Sequence, residues 1–324
     1  YLKSFKMKKK ILYFNKLKFQ KKTIEKLKKK FNVISSDKLK KNDYKSIVSV
    51  LLPMDNFYNK DFFSKFKNLR SVVTPTTGDI HLDKIFLKKR RIKIFNLANQ
   101  KNNLNNITST SELTIGHILN LTRKIFHIHK LFIKNRKFDK HNYLLSNKML
   151  TIGIVGLGRI GKHVAIRAKA LGFKIIYYDP FVNNKKFKKI KNFKNFIKTT
   201  NILTIHMHYK KKYKEMFNIK TFKLLKKPSY VINTSRGEFI NEIDLIKAIK
   251  NDIIKGAGLD VLKNEFKKKF RENPKKNKLF NLFSKNQKYN IFITPKQGGS
   301  NKNAWEITEK LIIDQLIKYE KNSI

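Results

Sequence analysis

The chain has 324 residues, 40% of them hydrophobic, which is too apolar for a disordered polymer and too long for one small core, so two globular domains are expected. No run approaches the roughly eighteen consecutive apolar residues of a membrane helix, the longest candidates being short segments such as 46–54; a soluble, cytoplasmic protein with no membrane partner is predicted. With no cysteine, disulfides, iron–sulfur clusters, thiolate metal sites and cysteine nucleophiles are excluded.

A formal charge of +53 ordinarily signals a polyanionic partner. Only nine of the 75 basic residues are Arg, however, and Lys, Asn, Ile, Phe and Tyr together make up about 55% of the chain. Codons for these five open on two A or T bases. The charge therefore reads as compositional bias spread over every solvated surface, and no nucleic-acid partner is expected. Met7, followed by three lysines and an apolar run, reads as the start, and it lacks the long apolar core of a secretory signal.

β-Branched and aromatic runs at 11–14, 31–34, 47–52, 71–74 and 92–95 alternate with helical segments, the pattern of a parallel sheet covered on both faces. An Asn-rich loop at 99–106 leads to Ser109, which with Glu112 fits a capping box opening one long helix to about residue 134. A stronger alternation follows, with six strands at 151–155, 174–178, 202–206, 230–233, 256–260 and 290–293. Apolar positions Ala304, Ile307, Leu311, Ile312 and Leu316 place a last helix over 303–320, packed back on the first domain. Its Trp305 is expected to pack in the core or anchor the domains. The Lys-rich stretches 183–198 and 263–279 read as solvated helix or loop. The predicted class is α/β with two doubly wound parallel-sheet domains, 7–105 with 297–324, and 106–296.

Gly156, Gly158 and Gly161 form G-x-G-x-x-G directly after an apolar strand and directly before a helix-compatible run. The first glycine permits the tight turn, the second lets a pyrophosphate approach the backbone at the positive helix end, and the third lets helix and strand pack closely. Asp179 stands 23 residues beyond Gly156 at the end of the next strand. There an acidic side chain accepts from adenosine ribose hydroxyls and selects NAD, since a 2′-phosphate would meet repulsion of about 4 kcal/mol at an effective dielectric near 20. The alternative for Asp179 is a turn residue before Pro180.

Three later segments begin at carboxyl ends of predicted strands, where doubly wound sheets gather ligands: Asn233-Thr-Ser-Arg236-Gly237, Gly256-Ala-Gly-Leu-Asp260 running on to Glu265, and Thr294-Pro-Lys296-Gln-Gly-Gly299. With the glycine fingerprint, Thr74-Pro-Thr-Thr-Gly78 and Thr110-Ser-Glu-Leu-Thr-Ile-Gly116, these make the chain resemble the NAD-dependent D-2-hydroxyacid dehydrogenases over almost its whole length. The resemblance implies a flavodoxin-like substrate domain, a Rossmann NAD-binding domain, a 2-hydroxy or 2-keto acid substrate and a homodimer built in part by the helix after 109; no metal site is expected. It implies that Arg236 holds the substrate carboxylate and carbonyl, with Thr77 and Gly78 meeting the same carboxylate, and that Glu265 orients the acid/base. The implied cofactor set is Gly156, Gly158, Arg159, Ile160, Gly161, Asp179, His206, Thr234 and Asp260.

One departure stands out. Where the family carries a histidine in a Thr-Pro-His segment, this chain has Lys296. A free lysine is unprotonated about once in 2,500 molecules at pH 7, and an adjacent Glu265 is expected to raise its pKa further. As a base it starts with a handicap of about 4 to 5 kcal/mol, whereas as the acid in keto-acid reduction an ammonium supplies both the positive donor and the proton. NADH-dependent reduction is thus the favoured direction. The rival expectation is a catalytically silent, NAD-binding scaffold or redox-sensing relative. Rescue by His206 or His208 is not expected.

Overall fold

The computed structural model describes residues 8–100, 103–135, 144–266, 270, 272–285 and 288–321; Met7 lies outside them. The chain divides into two units: Tyr1–Asn106, Phe266–Lys268 and Asn301–Ile324 form one, and Ile107–Glu265 and Lys269–Ser300 the other.

The first unit holds β1 (Lys10–Tyr13), β2 (Asn32–Ser35), β3 (Ile47–Leu51), β4 (Ser71–Val73) and β5 (Lys93–Phe95), ordered β2-β1-β3-β4-β5. All neighbours are parallel, which is the flavodoxin-like 2-1-3-4-5 arrangement. Its core gathers Leu12, Ile47, Val50, Phe63, Phe66 and Val72. The last helix, Lys302–Lys321, belongs to this unit and buries two carboxylates along with Ile312, Ile313 and Leu316. Glu309 accepts from the Gln20 amide at 3.1 Å and the Thr23 hydroxyl at 3.0 Å. Glu320 meets Lys9 at 2.9 Å and Arg70 at 3.4 Å, and accepts from Ser49 Oγ at 3.1 Å. Trp305 is 47% exposed, so the core reading of its indole is corrected.

The second unit holds β6 (Thr151–Val155), β7 (Lys174–Tyr178), β8 (Lys188–Lys189), β9 (Ile202–Ile205), β10 (Tyr230–Asn233), β11 (Gly256–Leu259) and β12 (Ile291–Ile293). Their order, β12-β11-β10-β9-β6-β7-β8, places β6 where the winding reverses. That switch point is where such sheets open a ligand crevice. Both faces are covered, so strand residues alternate between two apolar layers: Ile202, Tyr230 and Ile232 pack with Val164 and Ala168, and Leu203, Ile205 and Val231 with Phe196 and Leu245.

Three local expectations are corrected. The single long helix is two, Ser109–Thr122 and Ile125–Asn135. Lys124 between them turns left-handed at φ 51°, and Asn120 Oδ1 takes the Phe126 amide at 2.8 Å, which reorients the chain. The N-cap is Thr108, whose hydroxyl bonds to Glu112, whereas the buried Ser109 Oγ has no hydrogen-bond partner. The Lys-rich stretch at 183–198 contains the expected helix, Phe193–Lys198, but also contributes β8 at the sheet edge, where only helix or loop was expected. Among the described residues no helix is long and apolar enough to cross a membrane.

Glu320 is the buried member of its ion pairs, and its removal leaves the buried Ser49 hydroxyl short of an acceptor while Lys9 and Arg70 stay partly solvated. Glu320→Ala is therefore expected to destabilise the first unit by about 1–3 kcal/mol, read as a lower urea midpoint for its cooperative loss of structure. An unchanged midpoint would show that the helix is held by its apolar contacts alone.

Candidate active site

Gly156 leaves β6 with φ 90°, and a Cβ there would sit 2.8 Å from the His206 carbonyl oxygen. Only glycine takes that turn without strain. The helix Arg159–Ala170 then starts from Gly158 and lies so close to β6 that a Cβ on Gly161 would meet the Gly156 oxygen at 2.1 Å. At Gly158 the opposite holds: nothing lies within 4 Å of an added Cβ, no side chain caps the helix, and its first turn has no acid. Exposed backbone donors and open space at a positive helix end suit a pyrophosphate, so these residues fit a dinucleotide. Of the two side chains in the loop, Ile160 packs on the apolar layer, and Arg159 Nη1 donates to the Ile107 carbonyl at 2.6 Å. Burial holds Arg159 below the usual guanidinium pKa.

Asp179 follows β7 and is buried. One carboxylate oxygen accepts the Leu157 amide of the glycine loop at 2.8 Å; the other accepts the Phe181 and Val182 amides at 2.8 and 3.1 Å. The turn role is thus present, and the same side chain ties the turn to the loop. His206, at the end of β9, bonds Thr204 Oγ1 through Nε2 at 2.8 Å, and burial lowers its pKa to about 3. It is neutral at physiological pH.

At the end of β10, Asn233 Oδ1 accepts the Ser235 amide and Nδ2 donates to the Arg236 carbonyl at 2.8 Å, which shapes the turn that presents Arg236. The Arg236 guanidinium donates to the Ser235 carbonyl at 2.7 Å. Gly237 follows because a Cβ there would lie 2.1 Å from the Leu262 carbonyl carbon, so the segment carrying Glu265 runs against the Arg236 turn. Glu265 is anchored by the Leu262 amide at 3.1 Å and pairs through its other oxygen with Lys296 Nζ.

Lys296 occupies a left-handed position, φ 56°. Its amide donates to the Asp260 carbonyl at 3.0 Å, and the buried Asp260 carboxylate accepts from Thr294 Oγ1 at 2.5 Å, the Gln297 amide at 2.6 Å and the Gly298 amide at 2.8 Å. Burial raises the Asp260 pKa, with those three donors opposing it. Lys296 itself departs from expectation. Burial lowers its pKa and outweighs the opposing pull of Glu265, while the nearby Arg236 charge adds to the lowering. The expected ion pair is present, but the expected upward shift is corrected to a downward one.

Thr77 and Gly78 belong to the first unit, in the loop after β4. Thr76 Oγ1 donates to the Gly78 carbonyl at 2.6 Å, and Thr74 meets the buried His81 at 3.2 Å; Thr77 is exposed. Within the second unit, three residues to which the sequence assigned no role, two of them in the Thr110–Gly116 segment, contact the site segments: Thr110 reaches the Gly298 carbonyl, Thr114 reaches Thr234, and His117 reaches Thr294. They share one face at i, i+4 and i+7, but other polar residues of the helix, among them Ser111, Glu112, Asn120 and Thr122, leave that line without a distinct sequence signal. Among the described residues, no cluster of three or more His, Asp or Glu could hold a metal ion.

A seven-stranded doubly wound sheet with a glycine loop at its switch point, and charged segments at its carboxyl edge, defines a dinucleotide-binding α/β protein. Residues 115–298, more than half of the chain, match the family described as D-isomer specific 2-hydroxyacid dehydrogenase, NAD binding domain, and the chain belongs to that family. It is 30% identical over 267 residues to a D-3-phosphoglycerate dehydrogenase of Bacillus subtilis, covering 81% of this chain but 47% of that one. The chain therefore spans about half the length of that relative. A Staphylococcus haemolyticus protein named as a 2-hydroxyacid dehydrogenase is 29% identical over 286 residues, 85% of this chain and 82% of that one. The fold is that of an Aquifex aeolicus D-lactate dehydrogenase solved with NAD and lactic acid, with TM-score 0.81, 22% identity and 96% of each chain covered.

Gly237→Ala forces a methyl group into the Leu262–Lys263 backbone. Overpacking of this kind costs about 1–3 kcal/mol. The variant is expected to unfold at lower denaturant and to weaken the Glu265–Lys296 pair, seen as a Lys296 ammonium titrating at lower pH in ¹⁵N spectra; wild-type titration would refute that link.

Proposed function

We propose that the protein is an NAD-dependent D-2-hydroxyacid dehydrogenase that reduces a 2-keto acid at neutral pH, with the cofactor bound over Gly156, Gly158, Arg159, Ile160, Gly161, Asp179, His206, Thr234 and Asp260. Bound NADH supplies the hydride. The chain's own contribution is charge and position. Arg236 presents a planar fork to the carboxylate and carbonyl of the acid, a geometry it matches in two parallel hydrogen bonds. On the resemblance, Thr77 and Gly78 of the first unit belong to the substrate-binding residues. Lys296 places its ammonium at the carbonyl oxygen, stabilises the charge that develops there and delivers the proton. Glu265 holds the amine in place and is not itself the donor.

The observation that carries this reading is the Lys296–Glu265 pair beside Arg236. A lysine in the histidine's place lies against the same kind of carboxylate partner, and its pKa is lowered toward the working range of an acid/base. Its handicap as a base is smaller than the sequence alone suggests. A homodimer is part of the proposal, supported by the helix Ile125–Asn135, whose Ile125, 56% exposed, lines a recess with Leu113, Phe126 and Phe292, and whose Ile133 is 62% exposed. A cytoplasmic location is also part of the proposal.

A panel of 2-keto acids with NADH, phosphorylated ones included, tests the assignment. Lys296→Ala is expected to lower kcat about 100-fold or more with NADH affinity unchanged by calorimetry. If NADH binds yet neither wild type nor Lys296→His reduces any acid in the panel, the silent scaffold is the correct reading.

The pH dependence follows from the sign of the shift. Reduction needs the ammonium, so it holds at low pH and falls as pH rises through the Lys296 pKa. Oxidation of the hydroxy acid needs the free amine and rises over the same range. Because burial lowers that pKa, the crossover is expected below the 10.5 of an ordinary lysine. Rates in both directions measured from pH 6 to 11 check this; a crossover at or above that value would contradict it.

A further inference from the structure

Thr110, Thr114 and His117 fall at i, i+4 and i+7 on the helix Ser109–Thr122 and so share one face. Each has a partner in a segment of the site, and the protons can be assigned because a hydroxyl has one to give. Thr110 gives its proton to the Gly298 carbonyl at 2.8 Å. Thr114 gives its proton back to the Thr110 carbonyl at 2.7 Å, so at 2.9 Å it accepts from Thr234. Thr294 gives its proton to Asp260, a carboxylate that only accepts, so at 3.1 Å it takes the proton of His117 Nε2.

His117 is the buried end of this line. Its ring is fully buried, meets Phe292 edge-on with centroids 5.2 Å apart, and lies so close to β11 that a Cβ on Gly258 would come within 2.8 Å of Nδ1. Nδ1 has no hydrogen-bond partner, and burial pulls the pKa down to about 4. A neutral ring protonated at Nε2 satisfies both facts: it places the one N–H on Thr294 and leaves the bare nitrogen in the apolar pocket.

We infer that the Thr110–Thr114–His117 face is a positioning surface that sets the spacing of Arg236 and Lys296, with His117 acting through Thr294 and Asp260 on the Lys296 turn. This inference rests on the role proposed above for Lys296. One helix contacts the segment after β10 through Thr234 and the segment after β12 through Thr294 and Gly298, so the two cationic side chains are referred to one rigid element. The Lys296 turn needs that support, because a lysine at φ 56° keeps its conformation only where its surroundings over-determine it. His117, Thr114 and Thr110 touch none of the reacting atoms in this scheme.

The test uses the full chain and two kinds of readout. In imidazole ¹⁵N spectra of wild type, the signal that vanishes in His117→Gln is expected to be neutral and Nε2-protonated from pH 5.5 to 8. A charged ring, or an Nδ1–H tautomer, overturns the inference. His117→Leu keeps the apolar volume and removes the donor. It is expected to lower kcat about 10- to 100-fold, the scale of a small misplacement of a reacting group, with KM and NADH affinity within about twofold. His117→Gln, which sets an amide nitrogen near Nε2, is expected to recover most of the loss. Thr294→Val is expected to match His117→Leu, and the double variant to be no worse than either single one. Unchanged kcat in a folded His117→Leu, or equal impairment of the Leu and Gln variants, overturns the inference. Should His117→Leu not fold, the wild-type tautomer and Thr294→Val decide. Hydrogen exchange at the Gln297 and Gly298 amides separates this inference from the proposed reaction. Even if no keto acid is reduced, both amides are expected to exchange at least tenfold faster in Thr294→Val, and unchanged exchange overturns the positioning role.

Discussion

A buried carboxylate is costly unless donors surround it, and in this protein that requirement organises the site. Asp260 stands just past the end of β11 with Thr294, Gln297 and Gly298 donating to its side chain and Lys296 donating to its carbonyl. Burial alone would favour protonation. The three side-chain donors come from one five-residue segment, so keeping the carboxylate charged and holding that segment in place are a single act. The left-handed turn that aims Lys296 at Glu265 is a consequence. Gly298 belongs to the same logic, since an added Cβ would press to 3.1 Å on the carboxylate. The resemblance placed Asp260 in the cofactor set; its visible contacts are to the lysine segment.

The layering of both units was legible because strands buried on two faces must be continuously apolar, and all eleven expected strands are present within a residue or so at each end. What escaped was whatever lacks an apolar signal. Strand β8 is two lysines paired to β7 at the sheet edge, a position where charge protects an open edge and pattern carries no information. Glu309 and Glu320 lie on the helix face that apolar spacing marks as buried, and nothing local predicts it; their partners Thr23, Ser49, Lys9 and Arg70 are some 250 or more residues away. The break at Lys124 turns on one asparagine reaching six residues forward.

The site divides in the same way. The glycine loop was legible in residue type and in its spacing from a strand end, whereas Arg236, Glu265 and Lys296 were singled out through the family resemblance. The sign of the lysine's shift was not legible. A neighbouring carboxylate is visible in a motif, but the desolvation that outweighs it depends on how many atoms crowd the amine, and that is a property of the folded unit. The polar face of Thr110, Thr114 and His117 was hidden for a related reason: each hydrogen bond joins residues more than a hundred positions apart.

Replacing a histidine by lysine also changes the standing charge of the site. Arg236 and Lys296 carry two positive charges, Glu265 and Asp260 two negative ones, and the set is balanced while the amine is protonated. With a neutral imidazole in that place it would be one unit negative. A keto acid's carboxylate therefore meets a less repulsive site in this chain. The consequence extends to the proton. Arg236 lowers the Lys296 pKa by repulsion, and an anion seated on the guanidinium cancels part of that repulsion. On the proposed reading the lysine pKa rises when the acid binds, so the substrate promotes protonation of the group that must donate to it. A hydroxy acid, carrying the same carboxylate, raises the pKa equally and makes the free base harder to form. Both effects act in the direction of keto-acid reduction. Burial of Lys296 limits the asymmetry, because the same desolvation that lowers its pKa keeps the neutral amine within reach for the reverse step.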